Sequence, residues 1–365
     1  MQLALTIILS IVLIIWLVGF VFSLMYMKMS FRSFEMDPNT LLPRDSYYPD
    51  LAVHETTFLS EGNRLKAKIY GKGDKGLVIF SHGIWSGPEE YLMLIRYLVD
   101  QGYTVFAYTY TSYNGSEGSW AKGLPQSPKD LDAALTYVDN CIAFRGMKRI
   151  LVGHSWGGYA TTAGLAFDHD IVAAVSISGF NDVMEITMDV AKQVATPYGA
   201  ALLKPHLLFL NRLFSGKNWR RTAVEGINHA NIPVLLLHGA EDDFIKYKVS
   251  SIPAHWDEIT NPYVEELKID VPGRSGHNNF FGTEDANSYS EKVNGEWKKR
   301  EKQIPKPLRI AEKQAYYTKM DKDRANVINE DLFSHVSDFL DRALAGKCSA
   351  DRSEAERRSV ITKMR

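Results

Sequence analysis

The fold class the sequence predicts is α/β: a mostly parallel sheet with helices on both faces, preceded by one N-terminal transmembrane helix. An uncharged run rich in Leu, Ile, Val, Phe and Met fills residues 3–27. From residue 54 onward, short apolar or β-branched stretches alternate with stretches of helical spacing, the pattern of strands buried on both faces. At 365 residues, 45% apolar and 23% charged, the chain is long enough for one large domain or two ordinary ones and is not generally disordered.

The N-terminal run comes first. Its 25 residues reach about 37 Å as a helix, against a hydrocarbon core of about 30 Å, and Lys28 is its first charged side chain. No basic stretch precedes it and no A-x-A pattern ends it, so it is expected to stay as an anchor rather than leave as a signal peptide. Lys28, Arg32 and Arg44 follow the run while no Lys or Arg precedes it, which places the rest of a single-pass protein on the cytoplasmic side. Residues 1–28 are the anchor and 29–50, broken by Pro38 and Pro43, a juxtamembrane linker. Because the chemistry lies elsewhere, deletion of the anchor is expected to leave a soluble, active domain.

Residues 54–60 and 64–70 form a hairpin around Glu61-Gly62-Asn63. Strands follow at 77–80, 105–110, 150–152, 171–177, 234–237 and 264–269, with helices at 89–100, 128–143, 156–166 and 331–345. The charge excludes little but decides one thing: 42 basic against 43 acidic residues give no general attraction to nucleic acid. Cys141 and Cys348 are too few for a disulfide scaffold and too far apart for a metal motif, and are read as free thiols.

Chemistry enters at Gly153-His154-Ser155-Trp156-Gly157, between a strand and a helix. A nucleophile there must sit on a sharp turn, and small residues two before and two after it are steric necessities. Ser81-His82-Gly83-Ile84, just past another strand, is a loop able to turn a backbone N–H toward Ser155. Ile84 and Trp156 are therefore the expected oxyanion-hole donors. Past the strand at 234–237 comes Glu241-Asp242-Asp243; Asp242 is the expected partner of a histidine, with Glu241 and Asp243 facing solvent or capping. Asp182 is the alternative acid. Among ten histidines, His277 alone has a strand-end loop to itself, in Pro272-Gly273-Arg274-Ser275-Gly276-His277.

On these motifs residues 76–281 resemble the serine branch of the α/β-hydrolase superfamily, nearest in style to serine-aminopeptidase and monoacylglycerol-lipase-like members. The order Ser155, Asp242, His277 is the one those proteins use. The resemblance implies an α/β-hydrolase domain over 51–345 with a helical cap at 181–231, where Leu and Phe are frequent. It implies a Ser155-His277-Asp242 triad, an acyl-enzyme, and neither metal nor organic cofactor. The expected activity is hydrolysis of a small-molecule or lipid-like carboxylic ester at the membrane. An aminopeptidase-like or acyltransferase activity, or a non-catalytic binding protein of the same fold, are the alternatives. Residues 282–328 have no counterpart in the motifs. Within them 298–324 carries ten Lys or Arg against four acids, expected as a solvated helical face, with contact to anionic headgroups the alternative. Residues 346–365 read as a frayed polar tail.

Overall fold

A computed structural model describes residues 2–194 and 196–364. Helix α1 (Gln2–Ser30) is the one described helix long and apolar enough to cross a membrane. The hairpin β1 (Val53–Ser60) and β2 (Asn63–Tyr70) turns through Glu61 and Gly62, both at positive φ, the two-residue turn whose twist matches paired strands. Then follow β3 (Leu77–Ser81), α2 (Leu92–Asp100), β4 (Thr104–Tyr108), α3 (Gln126–Asn140), β5 (Arg149–His154), α4 (Trp156–Ala163) and β6 (Ile171–Ile177). Helices α5 (Val183–Val194), α6 (Pro197–Ser215) and α7 (Ala223–Ala230) are inserted before β7 (Val234–Gly239) and β8 (Val264–Ile269). The chain ends with α8 (Glu284–Glu301), α9 (Arg309–Tyr317), α10 (Lys322–Ala325), α11 (Glu330–Leu344), α12 (Glu354–Arg357) and β9 (Arg358–Ile361).

The strands form one sheet in the order β1-β2-β4-β3-β5-β6-β7-β8-β9, antiparallel at β1-β2 and β2-β4 and parallel from there on. Its centre is apolar on both sides: every residue of β3, β4 and β7 is buried. One face packs under α3, α4 and α7 through Leu135, Tyr159 and Ile227, the other under α2 and α11 through Leu94, Leu98, Phe333 and Leu340. After β4 the chain returns past β3 to β5, so the strand order reverses there, and the crevice at the carboxyl ends of β3 and β5 is where such sheets hold ligands.

Three segments depart from what the sequence suggested. The polar tail is ordered at its end: β9 pairs parallel with β8, and Arg358 reaches Glu266 at 2.6 Å, a carboxylate otherwise buried and shared with Tyr247. The linker is docked rather than free, with Leu41 buried among Val293, Trp297 and Tyr317 of α8 and α9, which resolves residues 282–328 into helices around a small core of their own. Helix α1 does not stop at the domain surface: Ser23 and Met27 are buried, and Met27 packs on Leu207 and Leu210 of α6.

Candidate active site

Ser155 sits at the turn between β5 and α4 with φ 58° and ψ −116°, a conformation that costs of order 1–3 kcal/mol for a residue with a side chain. The turn is fixed by the Ser155 N–H donating to the Ile177 carbonyl of β6 at 2.8 Å. The flanking glycines are required by close approach: a Cβ on Gly153 would collide with the Gly157 carbonyl, and one on Gly157 with that of Ser81. Trp156 opens α4, where helix amides have no partner within the helix, and its indole donates to the Leu124 carbonyl at 2.7 Å.

His277 and Asp242 meet: Nδ1 of the histidine lies 2.8 Å from Oδ2 of the aspartate. Asp242 has a fully buried side chain and is held from four directions. Its Oδ1 accepts the N–H groups of Phe244 (2.9 Å) and Ile245 (2.8 Å), and Oδ2 also faces His238 Nε2 at 3.2 Å. Burial alone would raise this carboxyl, yet the hydrogen bonds from His238 and His277 outweigh it and hold the group well below the usual carboxylate range. Asp242 is therefore an anion at neutral pH, and as an acceptor it requires a proton on His277 Nδ1.

The other acids of the motif are used differently. Asp182 Oδ1 caps the start of α5 through the Glu185 N–H at 2.7 Å. Glu241 is exposed, as expected, and also accepts from the Gly273 N–H and the Ser275 hydroxyl, both at 2.8 Å, and so steadies the loop that carries His277.

A hydrogen-bond relay behind the site was not legible in the motifs. The Gly83 N–H donates to the Tyr91 hydroxyl (3.1 Å), Tyr91 meets His154 Nδ1 (2.9 Å), and His154 Nε2 meets the His277 carbonyl (3.0 Å). A carbonyl only accepts, so His154 is protonated on Nε2 and Tyr91 donates to Nδ1. Burial pushes the His154 imidazole down to about 3, so it stays neutral and the relay keeps its direction. The loop after β3, the serine turn and the histidine loop are thus tied together. Because the Gly83 amide is occupied, Ile84 is the next amide in that loop, and its side chain lines the same cavity as Ser155.

That cavity has a volume of about 110 Å³ and is walled by Ile84, Phe180, Ile186, Leu207 and Phe244 beside Ser155. Tyr26, Met27, Ser30 and Phe31 also line it. The indole of Trp85 donates to the Ser30 carbonyl at 3.0 Å, and Phe31 packs on Trp156 with ring centroids 6.0 Å apart. Tyr26 and Met27 fall within the residues 1–28 expected to be separable, yet they line this cavity, while Ser30, just beyond them, holds the loop that carries Ile84.

The model of the alpha/beta hydrolase family matches residues 78–314, most of the chain. The chain belongs to the alpha/beta hydrolase family. No curated protein matches it in sequence. Among solved structures it is similar to an esterase of Pyrococcus furiosus, at 18% identity and a TM-score of 0.51, covering 74% of this chain and 96% of the esterase. It is also similar to an alpha/beta hydrolase from Penicillium sp. sh18, at 16% identity and a TM-score of 0.51, covering 81% and 100%. At these identities the likeness carries the fold alone.

Proposed function

We propose that this member of the family is a serine hydrolase, anchored by α1, that cleaves a carboxylic ester with a lipophilic acyl part. The single observation that supports it most is the buried Asp242 carboxylate bonded to His277 Nδ1 at the strand ends that also carry the strained Ser155 turn. Ser155 Oγ attacks the carbonyl carbon while its proton passes to His277 Nε2. The N–H groups of Ile84 and Trp156 receive the developing oxyanion. The carbon–oxygen bond to the alcohol breaks and His277 returns the proton to the leaving oxygen. Water then attacks the acyl-enzyme, again giving its proton to His277, and the acid departs as Ser155 Oγ is reprotonated. Asp242 holds the tautomer and stabilises the imidazolium without itself taking a proton.

The apolar lining of the cavity supports the acyl preference, since each buried CH₂ contributes about 0.8 kcal/mol. The test is fluorophosphonate labelling of wild type and Ser155→Ala, then rates on p-nitrophenyl esters from acetate to octanoate and on aminoacyl-amides. Labelling lost in Ser155→Ala, with a rate loss on the order of 10³-fold or more and efficiency rising with chain length in the wild type, is expected. Labelling that persists in the variant refutes the nucleophile. Amides cleaved faster than any ester refute the substrate class.

A further inference from the structure

Helix α6 carries two faces of opposite use. On one, Leu207 and Asn211 line the Ser155 cavity. On the other, Tyr198, Leu202, Phe209 and Leu213 fall on one face of the helix, and all four are more than half exposed. A helix of a water-soluble protein normally turns its polar side outward. The stretch 197–220 also holds Lys204, Arg212, Lys217 and Arg220 and no acidic residue.

The contacts of α1 set the height of this face. Residues 2–18 of α1 are exposed throughout and residues 19 and 20 are the first to be covered. Those 17 exposed residues rise about 26 Å, close to the thickness of a hydrocarbon core of about 30 Å. Coverage begins where α6 arrives: Trp16 lies 5.1 Å from the His206 ring and Phe20 lies 6.0 Å from that of Phe209, centroid to centroid. The absence of a side chain at Gly19 makes room, because a Cβ there would meet His206 at 3.0 Å. Helix α6 thus crosses α1 where its lipid-length segment ends, and Trp16 stands at the depth that tryptophans favour in membranes.

We propose that α6 is an interfacial helix, lying in the surface of an anionic bilayer with Tyr198, Leu202, Phe209 and Leu213 among the lipid chains. Lys204 and Arg212 extend to the headgroups. This rests on α1 being a bilayer span. Its consequence for the proposed enzyme is that the cavity wall formed by Leu207 is one helix thickness from the lipid, so an ester in the membrane reaches Ser155 without crossing water.

The experiment uses the full chain with Cys141→Ser and Cys348→Ser, reconstituted in vesicles of phosphatidylcholine and phosphatidylglycerol containing nitroxide-labelled lipids. Leu9→Cys, Leu202→Cys, Leu213→Cys and Ile142→Cys each carry one fluorophore; exposed Ile142, between α3 and β5, lies at the opposite end of the sheet from Ser155. Quenching at 9, 202 and 213 but not at 142 is expected. Quenching at 9 with 202 and 213 as unquenched as 142 overturns the placement of α6 while leaving the span intact. No quenching at 9 overturns the span and this proposal with it. As a second measurement, Leu202→Asp combined with Leu213→Asp is expected to keep the rate on soluble p-nitrophenyl butyrate within about twofold and to lose about tenfold on the same ester of a long-chain acid dispersed in those vesicles. An undiminished rate on vesicles overturns the proposal.

Discussion

Replacing Asp242 by asparagine keeps the shape of the side chain and changes what it offers. The Oδ1 position still accepts the N–H groups of Phe244 and Ile245, so the amide oxygen settles there and the NH₂ points at His277 Nδ1 and His238 Nε2. A donor facing Nδ1 forces the His277 proton onto Nε2, the nitrogen that accepts from Ser155 in the proposed mechanism, and that mechanism loses its base. The expected fall in kcat is about 10⁴-fold, equivalent to about 5.5 kcal/mol on the barrier. His238 Nε2 also sits 2.9 Å from the Ile245 carbonyl and so keeps its proton, leaving two donors face to face; about 1–3 kcal/mol of stability should go with them. The depressed Asp242 carboxyl contributes stability that is present above its unfolded value near 3.9 and lost as pH falls toward the folded one, so an assay at pH 8 sees the full difference. The assay is kcat on p-nitrophenyl butyrate with thermal melts of the same samples. Asp182→Asn keeps an oxygen that accepts the Glu185 N–H, so stability and kcat should both stay nearly unchanged, and exposed Asp243→Asn should alter neither. A Asp242→Asn variant within tenfold of wild type, or Asp182→Asn the more damaging of the two, would refute the role given to Asp242.

Removal of residues 1–28 strips Tyr26 and Met27 from the cavity, so the soluble remainder should lose its preference for octanoate over acetate esters, about tenfold in relative kcat/KM; an unchanged chain-length profile would show the wall to be idle. Burial holds His154 near 3 and His82 near 4 in the fold against about 6.5 unfolded, so the unfolded chain binds more protons below 6.5 and stability should fall as pH drops from 6.5 toward 4. Melts of wild type and His154→Gln across that window check this, the variant having the shallower slope. Arg358→Ala leaves the buried Glu266 without its cation and should cost about 2–3 kcal/mol in melts while kcat is unchanged, since β9 is at the sheet edge; an equal Tm would mean the strand is not held by this pair.

What the sequence carried by itself were features with local causes. Strands β3 and β7 lie where the apolar runs 77–80 and 234–237 place them, because a strand covered on both faces needs an unbroken apolar stretch. Gly153 has a local cause, since a Cβ there would meet the Gly157 carbonyl four residues on, whereas Gly157 is required by the Ser81 carbonyl on another strand. The tertiary structure decided whatever depends on segments distant in the chain. Tyr91 joins His154 across 63 residues and nothing near Tyr91 announces it. β9 is four residues whose polar flanks hide them, and it exists because the open edge of β8 and the buried Glu266 are there to receive it. The same holds for α1: its hydropathy marks a candidate span of 25 residues, but only the arrival of α6 at Trp16 and Phe20 divides it into an exposed length and a part of the cavity wall beside Ser155. Hydropathy is a property of each residue, whereas burial depends on which other surface comes to lie against it.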